Sequence, residues 1–375
     1  MNQLLIIITI LVAINYILLI LLLTYGFKRL NNQWSSSKPG TVSIVIAARN
    51  EESNILSCLK SIALQEYPHE LLDIIIVNDQ STDATASVIN NYIDQNKELS
   101  IRQLITTDSG GKKAALRIGI SYSIGELILT TDADCQLPKH WVAEMNRCFC
   151  STDAVFIAGP VMMNESKQFF NHFQCLEFNS LIASTAGWIG IKNSIMCNGA
   201  NMGFSRKAYD QLTGNAMNDN ITSGDDIFLM FSMKRRFGAN RIAFAKSPDA
   251  CVYTSAQPTL KGFISQRIRW VSKSSSYQDL AVIYTALSVF AFNLLNCVLL
   301  TALLFRIELF PLAIGIFLLK NTVDAILLFA YTSIFGQQKH LWLLPIMELC
   351  VILYTVLIGV LGNLLSFKWK DRTNH

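Results

Sequence analysis

Four long stretches of this chain are predominantly apolar, and the long segment between the first and the second is not. Residues 4–23, LLIIITILVAINYILLILLL, carry no charge. That length is about enough to cross the roughly 30 Å hydrocarbon core of a bilayer as a helix. Ala281–Phe305 is a second such run, and LFPLAIGIFLLKNTVDAILLFAYTSIF (309–335) and LWLLPIMELCVILYTVLIGVLGNLL (341–365) are a third and a fourth. No Lys or Arg precedes the first run, while Lys28 and Arg29 follow it. A retained anchor with the next segment in the cytosol is therefore expected. The pattern predicts an N-terminal transmembrane anchor (1–27), a linker (28–40), a cytosolic domain (41–255), an amphipathic interfacial helix (256–279), a C-terminal transmembrane bundle (280–366) and a tail (367–375).

Inside 41–255 the polar and apolar positions alternate between two periods. TVSIVIAARN (41–50) is a β-branched run ending in polar residues, hence a strand. In EESNILSCLKSIALQ, residues Ile55, Leu59, Ile62 and Ala63 recur at helical spacing. DIIIVNDQS, LSIRQLI and ELILTTDAD predict further strands, with helices over TDATASVINNYID and GKKAALRIGISYSI between them. Such alternation with continuous Ile/Val/Leu strands predicts an α/β fold with a mostly parallel sheet covered on both faces. DAVFIAGPVM (153–162) and SIMCNGANMGFSR (194–206) read as strands or strand–loop units. GDDIFLMFSMKRRFG (224–238) reads as a helix opening on acids and stopped by Gly238 after three cations, as the helix dipole favours.

Composition changes this picture little. The 375 residues are 51% hydrophobic and 15% charged, and the apolar runs account for the low charge. A net charge of +4 is too slight to argue for a nucleic-acid partner and supports only mild attraction to anionic headgroups. The nine cysteines are scattered without a CxxC pair, as expected of small apolar side chains in a reducing compartment.

The candidate chemistry gathers at strand ends. In open parallel sheets, ligands bind outside the carboxyl ends of the strands. Glu51, Asp79, Asp132 and Asp134 all fall there. Asp132 and Asp134 are two residues apart and point the same way. They suit a hard divalent cation, Mg²⁺ or Mn²⁺, completed by substrate phosphates, or else an ordinary turn. Asp79 is either a loop acid or a hydrogen-bond acceptor for a nucleotide, and Asp83 suits a helix cap. SGGKKAAL brings Lys112 to a helix start that suits a phosphate. It is not a Walker A loop, and no GxGxxG follows the first strand, so ATPase and dehydrogenase readings weaken. Asp225 and Asp226 open a helix as caps or as a base.

LKGFISQRIRWVSKSS (260–275) predicts a helix with Leu260, Ile264, Ile268 and Val271 on one face, and Gln266, Arg269, Trp270 and Lys273 on the other. It either anchors in the membrane interface or closes over a phosphate and a sugar. Four full crossings would leave Lys368, Lys370 and Arg372 outside, against the positive-inside tendency. A hairpin turning near Lys320–Asp324 would repair this, or those two residues pair at i, i+4 in a crossing helix. Glu348 either lines a lipid path or pairs with another helix.

In order, AARNEE, VNDQSTD, GGKKAAL, TDAD, CNGANMGFSR, GDD and QRIRW resemble the motif series of membrane-bound family-2 glycosyltransferases, over residues 41–273. That group includes ceramide glucosyltransferases and chitooligosaccharide, hyaluronan and cellulose synthases. The resemblance implies a GT-A fold and inverting, metal-dependent hexosyl transfer from a nucleotide-diphospho-sugar, a UDP-sugar above all. It implies a lipid or glycan acceptor and a bacterial cytoplasmic membrane with the catalytic domain facing the cytosol. Glu51, Asp79 and Lys112 match the nucleotide-holding positions, and Asp132 and Asp134 the DxD pair, with Asp134 the direct metal ligand and Asp132 bridging ribose and metal. Asp226 matches the catalytic base, although Asp225 stands beside it where many relatives carry Glu. Gln266, Arg269 and Trp270 match the QxxRW motif on the diphosphate and acceptor side. Transfer of one sugar to a lipid is expected, and a polymer or oligosaccharide synthase is the rival. The tail FKWKDR resembles a WxGR ending, with Asp371 in place of the Gly.

Overall fold

The structure is a computed structural model that describes residues 3–31, 33–35, 38–106, 111–164, 166, 168–212, 224–272, 277–361, 367–369 and 372–374. In chain order the elements begin with α1 (Gln3–Arg29), β1 (Val42–Ala48), α2 (Ile55–Ala63), β2 (Leu72–Asn78), α3 (Thr85–Gln95), β3 (Ile101–Ile105), α4 (Gly111–Tyr122) and β4 (Leu127–Asp132). There follow α5 (Trp141–Ser151), β5 (Phe156–Ala158), β6 (Val161–Met163), α6 (Phe169–Gly190), β7 (Met202–Ser205), α7 (Arg206–Asp210), α8 (Asp225–Phe237), β8 (Ile242–Phe244) and β9 (Val252–Thr254). The chain closes with α9 (Leu260–Val271), α10 (Leu280–Ala302), α11 (Phe310–Phe335), α12 (Leu344–Leu361), β10 (Phe367–Trp369) and β11 (Arg372–Asn374). Two compact units result. One comprises Leu30–Asn164 and Lys192–Ser255, the other Met1–Arg29, Glu165–Ile191 and Ala256–His375.

The first unit is built on a central sheet in the order β3-β2-β1-β4-β7-β5-β8. β3, β2, β1 and β4 run parallel, β7 is antiparallel to both neighbours, and β5 pairs parallel with β8. β2 is buried at every position and β1 at all but one, which is why both read as unbroken apolar runs. Strand order reverses between β1 and β4, where a crevice opens at the carboxyl ends. There Ala47 pairs with Asp132. The stretch 153–162, read as strands or a strand–loop unit, holds two short strands, with Pro160, which lacks the amide a ladder needs, between them. β5 stays in the central sheet, and β6 joins β9 in a two-stranded sheet.

Among the described residues, the second unit holds four helices long and apolar enough to cross a membrane, within Leu5–Arg29, Leu280–Ala302, Ile307–Phe335 and Gln338–Val360. It also holds α6, which falls inside the stretch expected to form one domain over 41–255. α6 is buried on nearly all sides, so no amphipathic stripe announced it. It crosses α1 at backbone contact: a Cβ on Gly187 would lie 2.5 Å from the Leu23 carbonyl oxygen, and one on Gly190 would lie 1.9 Å from that of Gly26.

α11 runs unbroken through Lys320–Asp324, so the expected hairpin gives way to the pairing alternative. Lys320 Nζ lies 2.6 Å from Asp324 Oδ2 and also pairs with Glu348 of α12. The Tyr16 hydroxyl of α1 donates to Asp324 at 2.8 Å. Glu348 therefore pairs with another helix.

The face that α9 buries also differs from expectation. Phe263, Arg267 and Ile268 are buried, whereas Leu260 is exposed. A buried acid on α6 draws Arg267 inward, which no pattern of apolar residues registers. Lys273 and Asp371 lie outside the described residues.

Candidate functional site

Two loops at the crevice hold each other through side chains. β1 ends in Arg49-Asn50-Glu51-Glu52, and β2 in Asp79-Gln80-Ser81-Thr82-Asp83. Asn50 and Gln80 sit at φ 51 and 54, in the left-handed region that asparagine tolerates better than most residues. The Asn50 amide donates to Ser81 Oγ at 3.0 Å, and Asn50 Oδ1 accepts the Thr82 amide at 2.9 Å. The Glu51 amide donates to Thr85 Oγ1 at 2.8 Å. Glu52 accepts the Ala84 amide at 2.8 Å while its own amide reaches Asp83 Oδ2 at 3.1 Å. Asp83 Oδ1 accepts the Thr85 amide at 3.0 Å, the capping role expected of it. These bonds fix where Glu51 and Asp79 stand.

Asp79 is buried, its Oδ1 accepting the Thr106 hydroxyl at 3.3 Å. Arg49 donates to its carbonyl at 2.8 Å and lies 4.0 Å from its Oδ2. Across the crevice, Lys112 at the start of α4 reaches Asp132 Oδ1 at 2.5 Å. Burial pulls the Lys112 ammonium down, but Asp132, Asp225 and Asp226 outweigh it and hold it well above the usual lysine range. Asp134 is open to solvent, yet its packed surroundings, then Asp132 and Glu51, push its carboxyl up to about 6. Glu51, Lys112, Asp132, Asp134, Asp225 and Asp226 thus act on one another electrostatically at one rim of the sheet.

At the start of α8, Asp225 is buried and Asp226 half-buried. Asp226 Oδ2 accepts the Gly199 amide and Oδ1 the Ile227 amide, both at 2.9 Å. The Gly199 carbonyl is in turn held by the Thr130 hydroxyl of β4 at 3.0 Å. The CNGAN loop therefore aims an acid, a role that its sequence did not disclose. Gln266, Arg269 and Trp270 lie on α9 in the other unit. Among the described residues, no three acids, histidines or cysteines could hold a metal ion by themselves. The donor set still fits a hard cation: two carboxylates at one rim, with Asp134 raised by its packed surroundings and then by Asp132 and Glu51, suit positive charge and further oxygen ligands.

Residues 43–213 match the family model described as Glycosyl transferase family 2, so the chain carries a family 2 glycosyltransferase domain. Over 120 residues it is 28% identical to glycosyltransferase AglE of Haloferax volcanii, covering 32% of this chain and 39% of that one. Over 96 residues it is 33% identical to a beta-monoglucosyldiacylglycerol synthase of Nostoc sp., covering 26% and 20%. Over 93 residues it is 37% identical to a poly(ribitol-phosphate) beta-glucosyltransferase of Bacillus spizizenii, covering 25% and 14%. These matches span less than half the length of each relative. Among solved structures, a mannosyltransferase from Pyrobaculum calidifontis in complex with GDP-Man and Mn²⁺ superposes with a TM-score of 0.58 at 17% identity, over 98% of this chain and 100% of that one. The fold is GT-A, as the motif series implied.

Proposed function

We propose that the protein is an inverting glycosyltransferase that moves a sugar from a nucleotide-diphospho-sugar, a UDP-sugar in the first instance, onto a membrane lipid. One observation carries the reading: at the carboxyl rim of the sheet Lys112 pairs with Asp132, within the field of further acids from the end of β4 and the start of α8. Four helices fit for membrane crossing and a relative named as a glucosyldiacylglycerol synthase support the lipid acceptor. Lys28 and Arg29, just after the first apolar run, support a catalytic unit on the cytosolic face of a bacterial cytoplasmic membrane.

Asp226, its two oxygens steered by the Gly199 and Ile227 amides, takes the proton of the acceptor hydroxyl. That oxygen attacks the anomeric carbon opposite the diphosphate, the bond to the diphosphate breaks, and configuration inverts. Charge gathers on the leaving diphosphate, where Lys112 and Arg269 stabilise it. Glu51 and Asp79 hold the nucleotide, and Gln266 and Trp270 grip the diphosphate and shape the acceptor side. Asp134 and Asp132 would hold Mg²⁺ or Mn²⁺, which when bound neutralises diphosphate charge.

The test incubates the full chain in membrane vesicles with UDP-glucose, UDP-GlcNAc or GDP-mannose and lipid extract, read by mass spectrometry. A lipid heavier by one sugar, absent with Asp226→Asn, is the expected product. A ladder of longer products would favour a polymer synthase, and the poly(ribitol-phosphate) relative keeps a glycan acceptor in view. No product from any donor would overturn the reading.

A further inference from the structure

The QRIRW segment contains a second arginine that the motif does not count. Arg267 is 2% exposed, among the largest fully buried side chains described. Its guanidinium carbon lies 4.5 Å from the Phe263 ring centre and 4.1 Å from that of Trp270, so the cation is stacked between two aromatic faces of its own helix. Nε donates to Glu177 Oε1 of α6 at 2.9 Å, and Nη2 pairs with Glu177 Oε2, a two-pronged match. The Tyr354 hydroxyl of α12 donates to the same Glu177 Oε1 at 3.1 Å. The remaining prong, Nη1, donates to Gln266 Oε1. Trp270 is bounded on another side by Phe178 of α6, ring centres 6.1 Å apart.

We propose that Arg267 is the positioning residue that fixes the Gln266 amide and the Trp270 ring, anchored by Glu177 and Tyr354. The inference rests on the reading that Gln266 and Trp270 serve the donor and acceptor. It deepens that reading by naming what holds them. A buried guanidinium without a partner is costly, so Glu177 keeps Arg267 in place. With Arg267 in place, only one amide orientation of Gln266 and one face of Trp270 satisfy their neighbours. Lysine cannot substitute, because it offers neither a planar face for stacking nor a fork for Glu177 and Gln266 together. Glu177 and Tyr354 lie outside the motif series, so this support is spread over α6, α9 and α12.

The test labels the full chain with 5-fluorotryptophan. Its six tryptophans give separate fluorine signals, and Trp270 is the one lost in Trp270→Phe. In Arg267→Lys and Glu177→Gln, the Trp270 signal moves or splits while the others hold. Transfer from UDP-glucose then falls on the order of 10- to 100-fold in kcat/KM, as displacement of a gripping group by about 1 Å would produce. Added to a chain already carrying Gln266→Ala and Trp270→Phe, Arg267→Lys costs nothing further. An unmoved Trp270 signal in both single variants overturns the proposal, as does a full additional loss on the double background. If Arg267→Lys disturbs all six signals, Glu177→Gln, which keeps the shape of the site, decides. If the Trp270 signal moves but Gln266→Ala and Trp270→Phe leave transfer intact, positioning stands and the donor role of the motif falls.

Discussion

Two of the clusters of charge in this protein are built on opposite terms. In the helical unit, Lys320 answers Asp324 and Glu348 directly, Tyr16 adds a hydroxyl, and all four residues are buried. At the rim of the sheet, Lys112 leans on Asp132, while its packed surroundings and then its acidic neighbours keep Asp134 raised. The first cluster is closed: ion pairs between α11 and α12 and a hydrogen bond from α1 complete it without any ligand. The second is left with a negative imbalance open to solvent, which is relieved when a cation arrives. Balance reads as architecture and imbalance as a binding site.

Four measurements would break or sharpen that contrast. At the rim, Asp226→Asn should reduce transfer on the order of 10²–10⁴-fold by product mass spectrometry, with the chain still folded. In the helical unit, Lys320→Met should cost about 3–5 kcal/mol in detergent-induced unfolding, because it strands two buried acids. Replacing Tyr16, Lys320, Asp324 and Glu348 together by apolar residues should recover most of that loss. A wild-type midpoint for Lys320→Met would show that the cluster locks nothing.

The third concerns acidity. Protons compete with a cation for Asp134, so Mn²⁺ affinity in the presence of UDP should weaken by up to about tenfold per unit as pH falls below about 6. Titration calorimetry giving one affinity from pH 7 to 5 would remove Asp134 from the site. The smallest effect is on stability. Because the folded carboxyl titrates near 6 rather than the ordinary 3.8, ionised Asp134 destabilises the fold once pH exceeds the lower value, fully above 6. Asp134→Asn should therefore raise the melting temperature by about 1–3 °C at pH 7 without cation, a gain that fades as pH falls towards 4.

The half of the sheet that forms the crevice was legible because its strands are buried on both faces and read as Ile/Val runs. Glu51, Asp132 and Asp134 were legible for the complementary reason that acids interrupt those runs. The rest was hidden where contacts are made by residues distant in sequence. α6 carries Asn, Gln, Glu, Ser and Thr among its apolar residues, because its partners are backbone and polar groups of other helices. The available signal was the run from Val161 to Ala186, which has neither Gly nor Pro. The inward face of α9 was misjudged because a buried arginine looks polar until Glu177 is known to face it. The locking of the Asn50 and Ser81 loops depends on left-handed residues that no periodicity marks.

The glycine crossing of α1 and α6 has a practical consequence for anyone who dissects this protein. Cutting away the first 29 residues looks like a simple route to a water-soluble enzyme. It would instead unclothe a helix from the middle of the chain, whose Gly187 and Gly190 are shaped to the backbone of the missing segment. The leading helix is thus a folding partner for residue 187 as much as a tether, and a fragment lacking it should aggregate unless α6 is removed as well.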